Sequence, residues 1–172
     1  ETILQAAHLE KKENELNRQL VNINDLIQGV IESFKLQLEA KPSAVHTQLD
    51  AQPSEIWIDE EYFLHVLSNL IDNAIKYAKS EIDITIKTKT VSNKIMITIE
   101  DKGIGMTSDT VKHIFEKFYR AHAGNIHNVK GFGLGMSYVK WVVDLHKGSI
   151  QVTSELEKGT KVEISLPMIE PK

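Results

Sequence analysis

A chain of 172 residues, 41% apolar and 26% charged, is long enough to bury a core and too apolar to default to disorder. Its net charge of −4 without clustered basic residues excludes a nucleic-acid surface, and the lack of cysteine excludes a disulfide framework and a thiolate-held metal. No apolar run approaches the roughly 18 residues of a membrane span, and Glu1-Thr-Ile-Leu-Gln does not read as a signal peptide. The expectation is a soluble, cytoplasmic piece without membrane contact, whose parent could still be anchored in the inner membrane.

Residues 1 to about 20 are rich in Glu, Lys, Leu and Gln and hold no turn residue, which predicts a solvent-rich helix or arm, the end of something that begins before residue 1. With Asn24 as its cap, the next helix places Leu26, Ile27, Val30, Ile31, Phe34 and Leu38 on one stripe and stops before Pro42. Short strands are expected over 45–49 and 56–58, then a helix over about 59–78. Ile82, Ile84 and Ile86 alternate with polar residues, as do Ile95, Ile97 and Ile99, and Ser92-Asn93 supplies the turn of a hairpin with one buried face. Ser108 is expected to cap a short helix over about 109–118. Residues 121–130 show no period. A helix then runs from a glycine cluster to His146, with Gly148 as its stop, and Ile150, Val152, Val162, Ile164 and Leu166 form a second hairpin about Lys158-Gly159. The fold class is an α/β sandwich, a mostly antiparallel mixed sheet covered on one face by helices.

Three clusters carry chemistry. Asn69, Asn73 and Lys76 lie at i, i+4 and i+7 of the helix over 59–78, off the apolar stripe of Phe63, Leu67, Leu70, Ile71, Ala74, Ile75 and Ala78. Asparagine is a poor helix-interior residue because its amide competes for backbone hydrogen bonds. The row is either a solvated face or a line of amide oxygens in a cleft, suited to a hard cation such as Mg²⁺, with Lys76 a point charge for phosphate.

The second cluster follows Ile99 at a strand end: Glu100-Asp101-Lys102-Gly103-Ile104-Gly105-Met106. Glycines two apart allow close backbone approach to a flat ligand and positive φ. A partly dry carboxylate accepts strongly from an amino group, a bond worth roughly 1.5–3 kcal/mol. Adenine offers that donor, whereas guanine presents an oxygen there; the same residues would also make an ordinary tight turn. The third cluster, Gly131-Phe132-Gly133-Leu134-Gly135, opens an amphipathic helix whose backbone N–H groups suit an anion. Neither the dinucleotide fingerprint nor a Walker-type Gly-Lys-Ser/Thr is present. The aperiodic loop before it is long enough for a moving lid, with Arg120 and Lys130 at its ends as candidate catalytic contacts to phosphate. A surface loop with incidental charges would read the same way.

In this order the motifs closely resemble the catalytic and ATP-binding domain of bacterial sensor histidine kinases, within the gyrase–Hsp90–kinase–MutL ATPase superfamily and its Bergerat-type fold. The N box resembles Asn69-Leu-Ile-Asp-Asn73-Ala-Ile-Lys76-Tyr77, the G1 box Asp101-Lys-Gly103-Ile104-Gly105, the F box Ile114-Phe115-Glu-Lys-Phe118-Tyr119-Arg120, and the G2 box Gly131 to Gly135, with Gly159-Thr160 the last glycine motif. The resemblance covers about residues 22 to 168. It implies ATP and Mg²⁺ as cofactors, with Asn73 on the metal, Asp101 on the adenine amine and Thr160 near the base. Lys76, Tyr77, Arg120 and the G2 backbone would hold phosphates, and Phe115 and Phe118 would anchor the lid.

The resemblance also implies a division between kinase and ATPase. Hydrolysing relatives place a glutamate one turn before the metal-binding asparagine, and this chain has Asn69 there, a neutral amide that cannot usefully accept a proton. The family's phosphoacceptor histidine is followed by an acid, yet none of His8, His46, His65, His113, His122, His127 and His146 is. Residues 1–21 are therefore read as the tail of a dimerisation hairpin and linker, and 22–172 as the catalytic domain. Expected partners are that hairpin and a response regulator, the fragment itself being monomeric. The alternatives are a non-catalytic nucleotide-sensing or docking module, or a serine-kinase anti-sigma factor.

Overall fold

The computed structural model describes residues 16–119 and 133–169. Alternating isoleucines make its centre. β4 (Ile82–Val91) and β5 (Lys94–Asp101) form an antiparallel hairpin. Ile82, Ile84, Ile86, Ile95, Ile97 and Ile99 are all buried. Each contributes roughly 1.5–3 kcal/mol by leaving water, and a one-residue slip would turn the whole set outward. Ser92 and Asn93 take φ of 49° and 61°, the turn geometry that matches strand twist. β7 (Gly159–Pro167) pairs antiparallel with β5, β6 (Ser149–Glu155) pairs with β7, and β2 (Ser43–Asp50) lies parallel to β4. The sheet order is β2-β4-β5-β7-β6, the mixed and mostly antiparallel arrangement expected from the sequence.

Helices supply the other layer of the core. α1 (Ile23–Ser33) buries Ile23, Ile27 and Val30. α3 (Glu60–Lys76) is capped by the Asp59 carboxylate, which accepts from the Tyr62 N–H, and buries Phe63, Val66, Leu67, Leu70, Ile71 and Ala74. α5 (Gly135–Leu145) packs against it through Tyr138, Val139, Val142 and Val143. The two are joined at their far ends by His146, whose Nε2 accepts from the Asp59 N–H at 3.0 Å while its ring stands edge-on to Phe63.

Several element ends differ from the sequence reading. β1 (Arg18–Asn22) is a strand antiparallel to β3 (Glu55–Asp59), where a helical arm was expected up to about residue 20. Its partner lies 33 to 41 positions away, so no local signal announces it. Asn22, not Asn24, caps α1: its Oδ1 accepts from the N–H groups of Asn24 at 3.0 Å and Asp25 at 3.3 Å. The Asn24 side chain is taken instead by the carbonyls of Leu49 and Ala51 and by the Thr88 hydroxyl. The helix breaks at Phe34 and resumes as α2 (Lys35–Glu39). Thr107 rather than Ser108 caps α4 (Ser108–His113), which ends well before Phe118. After α5 the left-handed residue is Lys147, with φ 56°. Gly148 is required for space, since a Cβ there would stand 2.7 Å from the Ser165 carbonyl oxygen and 2.9 Å from Leu166.

Candidate functional site

β5 leaves the sheet where β7 enters it, with Asp101 opposite Thr160. Asp101 continues the inward row of Ile95, Ile97 and Ile99 past the point where apolar packing ends, which leaves its carboxylate half-buried at the rim. Oδ1 accepts from the Gly103 N–H at 2.8 Å. Burial is the largest influence on this carboxyl and raises its pKa above the ordinary 3.8; the N–H groups of Gly103 and Thr160 pull it down, and the charge of Glu100 pushes it up. The outcome is a poorly hydrated acceptor whose orientation is fixed by backbone.

Glycines let three segments meet at this end. A side chain on Gly103 would overlap the Tyr77 carbonyl at the end of α3 and reach Asp101 Oδ1 at 2.8 Å. Ile104 N–H donates to that same Tyr77 carbonyl at 3.0 Å, which ties the strand exit to the helix. Gly105 (φ 65°) and Gly159 (φ 113°) both lie in the left-handed region, where a Cβ would overlap the carbonyls of Glu155 and Asp101 respectively. One residue here escaped sequence reasoning. Ser154 pairs with Thr160 in the β6–β7 register, and their hydroxyls stand 2.9 Å apart. Counting outward from the expected Lys158-Gly159 turn would pair Glu157 with Thr160; the chain instead turns over residues 156–158, with Glu155 opposite Gly159 and Ser154 opposite Thr160.

The other end lies between α3 and the start of α5. Asn69 Nδ2 donates to the His65 carbonyl one turn back, at 2.9 Å. Its Oδ1 faces Gly135, where an added Cβ would lie 3.1 Å away. Asn69 of the asparagine row and Gly135 of the glycine cluster are thus brought together. Leu134 provides no side-chain cap, so the first N–H groups of α5 are not taken by their own cap residue. Asn73 is half-buried, and Tyr77 closes α3 with its N–H bonded to the Asn73 carbonyl. Lys76 is not a free cation: its Nζ pairs with Asp72 at 2.5 Å, four residues earlier. Gly133 (φ 72°) accepts from the Phe118 N–H at 2.9 Å, holding together the two chain ends that flank 120–132. Phe115 is half-buried, but the Phe118 side chain, expected as a lid anchor, is 70% exposed. Arg120, Lys130, Gly131 and Phe132 lie outside the described residues.

Among the described residues no group of three His, Cys, Asp or Glu side chains could hold a metal ion, and no helix is long and apolar enough to cross a membrane. A groove of about 560 Å³ opens between β1, α1 and α3 over Val21, Leu26 and Val30, and it shares no residue with the motifs above.

Comparison with known proteins bears on the same stretch. The family model described as histidine kinase-, DNA gyrase B- and HSP90-like ATPase matches residues 58–170. The sensor protein RprX of Bacteroides fragilis is 42% identical over 171 residues, covering 98% of this chain and 33% of that protein. The sensor histidine kinase RppB of Synechocystis is 32% identical, covering 96% of this chain and 37% of its own. The chain thus spans about a third of the length of these relatives. Among solved structures, full-length ShkA in complex with AMPPNP superposes with a TM-score of 0.83 at 23% identity, over 98% of this chain and 35% of that one. The catalytic domain of the histidine kinase ThkA gives 0.78 at 22% identity, over 89% of this chain and 99% of that one. At such identities these two superpositions establish the fold.

Proposed function

Because the chain belongs to the histidine kinase-, DNA gyrase B- and HSP90-like ATPase family, we propose that it is the ATP-binding catalytic domain of a sensor histidine kinase. It would pass the γ-phosphoryl group of Mg-ATP to a histidine on a dimerisation hairpin elsewhere in a longer parent. The names of RprX and RppB, as a sensor protein and a sensor histidine kinase, support this reading. The observation that carries it is the Asp101 carboxylate, half-buried at a strand exit and held by the Gly103 N–H. An acceptor so placed suits an exocyclic amine, and adenine supplies one.

In this reading Asp101 and Thr160 meet the base edge, with Gly103, Ile104 and Gly105 as the backbone beside it. Asn69 and Asn73 offer amide oxygens on the way to the phosphates, and Asn73 would hold Mg²⁺, whose remaining ligands would come from phosphate and water. When bound, the cation neutralises charge shared between the β- and γ-phosphates. Backbone N–H groups from Gly131 to Gly135, with Phe132 and Leu134 between, would cradle the phosphate oxygens. Lys76, Arg120 and Lys130 would supply positive charge and Tyr77 a flanking contact. Asn69 cannot take a proton from water, so hydrolysis is slow. Transfer needs no such base from this domain, because positioning and charge stabilisation carry most of it: a bond forms from the acceptor imidazole nitrogen to phosphorus as the bond to the ADP oxygen breaks.

Residues 1–21 are taken as the tail of the hairpin and linker and 22–172 as the catalytic domain, monomeric in isolation and working in the cytoplasm. Its partners would be the parent's hairpin and a response regulator. The test supplies that hairpin in trans with labelled ATP. Acid-labile label on the hairpin is the expected result. Nucleotide binding without transfer would favour a sensing or docking module, and acid-stable label a serine kinase.

A further inference from the structure

Ser154 has one hydroxyl and three partners. Its Oγ donates to the Gly159 carbonyl at 2.8 Å, accepts from the Met106 N–H at 2.9 Å, and lies 2.9 Å from Thr160 Oγ1. A serine hydroxyl carries one proton and two lone pairs. With the proton committed to Gly159 and one lone pair to Met106, the contact with Thr160 closes only if Thr160 donates and Ser154 accepts. The Thr160 proton is therefore turned toward β6, and its oxygen is left with lone pairs alone. Asp101, opposite Thr160 in the β5–β7 register, is also an acceptor. Both side chains at this end thus present the same polarity, and a residue one strand further out sets the second of them.

We infer that Ser154 is a specificity-determining positioning residue: by fixing Thr160 as an acceptor, it makes this end of the cleft select a purine with an amino group at carbon 6 over one with a carbonyl there. The inference rests on the reading of Asp101 as the base-facing carboxylate and adds to it a residue in β6 that acts through Thr160. Adenine brings two N–H donors to that edge. Guanine brings an oxygen, which the Asp101 and Thr160 oxygens both repel. With Ser154 removed, the Thr160 hydroxyl turns its proton to the guanine oxygen and part of the discrimination disappears.

The experiment compares Mg-ADP and Mg-GDP binding by calorimetry in the intact chain, as wild type, Ser154→Ala and Ser154→Thr. Wild type is expected to prefer ADP. Ser154→Ala should lower the ADP-to-GDP affinity ratio about tenfold, and Ser154→Thr, which keeps the hydroxyl, should hold it near the wild-type value. A merely structural role for Ser154 would weaken both nucleotides together, and that unchanged ratio would overturn the inference while leaving the Asp101 reading intact. Failure of wild type to bind ADP would overturn both. If Ser154→Ala does not fold, Thr160→Val replaces the repelling oxygen by a methyl at equal size. It too should narrow the ratio, and a ratio that stayed put would count against the inference.

Discussion

The two ends of the proposed site are built on opposite plans. At the Asp101 end, backbone meets backbone: Gly103 lies under the Tyr77 carbonyl, Gly105 against Glu155 and Gly159 against Asp101, each without room for a Cβ. At the Asn69 end, side chains make the contacts: the Asn69 amide reaches across to Gly135 of the neighbouring helix, and Lys76 is held by Asp72 on the exposed side of α3 itself. Main-chain contacts at positive φ cannot relax without moving strands, whereas an amide or an ammonium can swing. The first plan suits a rigid base whose edge is always the same. The second suits a triphosphate whose charge and shape change during the reaction.

The largest expected effect follows from that difference. Gly105→Ala or Gly159→Ala combines a left-handed φ with a carbonyl overlap and should lower stability by about 2–4 kcal/mol, abolishing nucleotide binding. Gly135→Ala meets only the end of the Asn69 side chain and should change stability by less than about 1 kcal/mol. Urea unfolding of the three variants measures this directly. Equal losses at Gly105 and Gly135 would break the contrast.

Asp101→Asn comes next. It turns a charged acceptor into an amide, and ADP and ATP should both bind about ten- to a hundredfold more weakly, at ~1.4 kcal/mol per decade. Equal losses for the two nucleotides would place Asp101 at the base rather than at the phosphates. Lys76→Ala should do the reverse, weakening ATP several-fold more than ADP in the same titration. Its effect on stability should stay within about 0.5 kcal/mol, since the pair with Asp72 is an exposed i,i+4 contact.

The smallest effect is a pH dependence. The Asp101 pKa is raised above 3.8 mainly by burial, so the folded chain holds the proton better than the unfolded one does. Its contribution to stability is present below 3.8 and is lost as pH rises through the higher folded value. ADP affinity runs the other way: the carboxylate is needed as acceptor, so binding weakens on acidification from above the ordinary carboxylate range. Thermal unfolding and ADP titration across this window should show the two opposite slopes, and Asp101→Asn should flatten both.

Much of this was legible in the chain because its signals are local. Period-two isoleucines around Ser92-Asn93 specify a hairpin whatever surrounds it, and the stripe from Phe63 to Ala74 specifies a buried helix. The Asp101 and Gly135 motifs could be placed because they sit at element ends, and Asn69 because its spacing to Asn73 and Lys76 is helical. What escaped was settled by distant partners. Asn24 is a plausible local cap, but Thr88, Leu49 and Ala51 claim its side chain, and Arg18–Asn22 is a strand because it pairs with Glu55–Asp59. Ser154 looked like any polar strand residue before the register put it opposite Thr160. The engagement of Lys76 by Asp72 is the local exception: i,i+4 spacing permits the pair, but the sequence equally allows Lys76 to reach toward phosphate.

The most direct measurement is calorimetric titration of Mg-ADP into the folded chain, side by side with Asp101→Asn. Saturable heat in the wild type, with affinity reduced about ten- to a hundredfold in the variant, is the expected result. No heat from well-folded wild-type protein, or equal affinity in the two, would contradict an adenine-reading carboxylate at the end of β5.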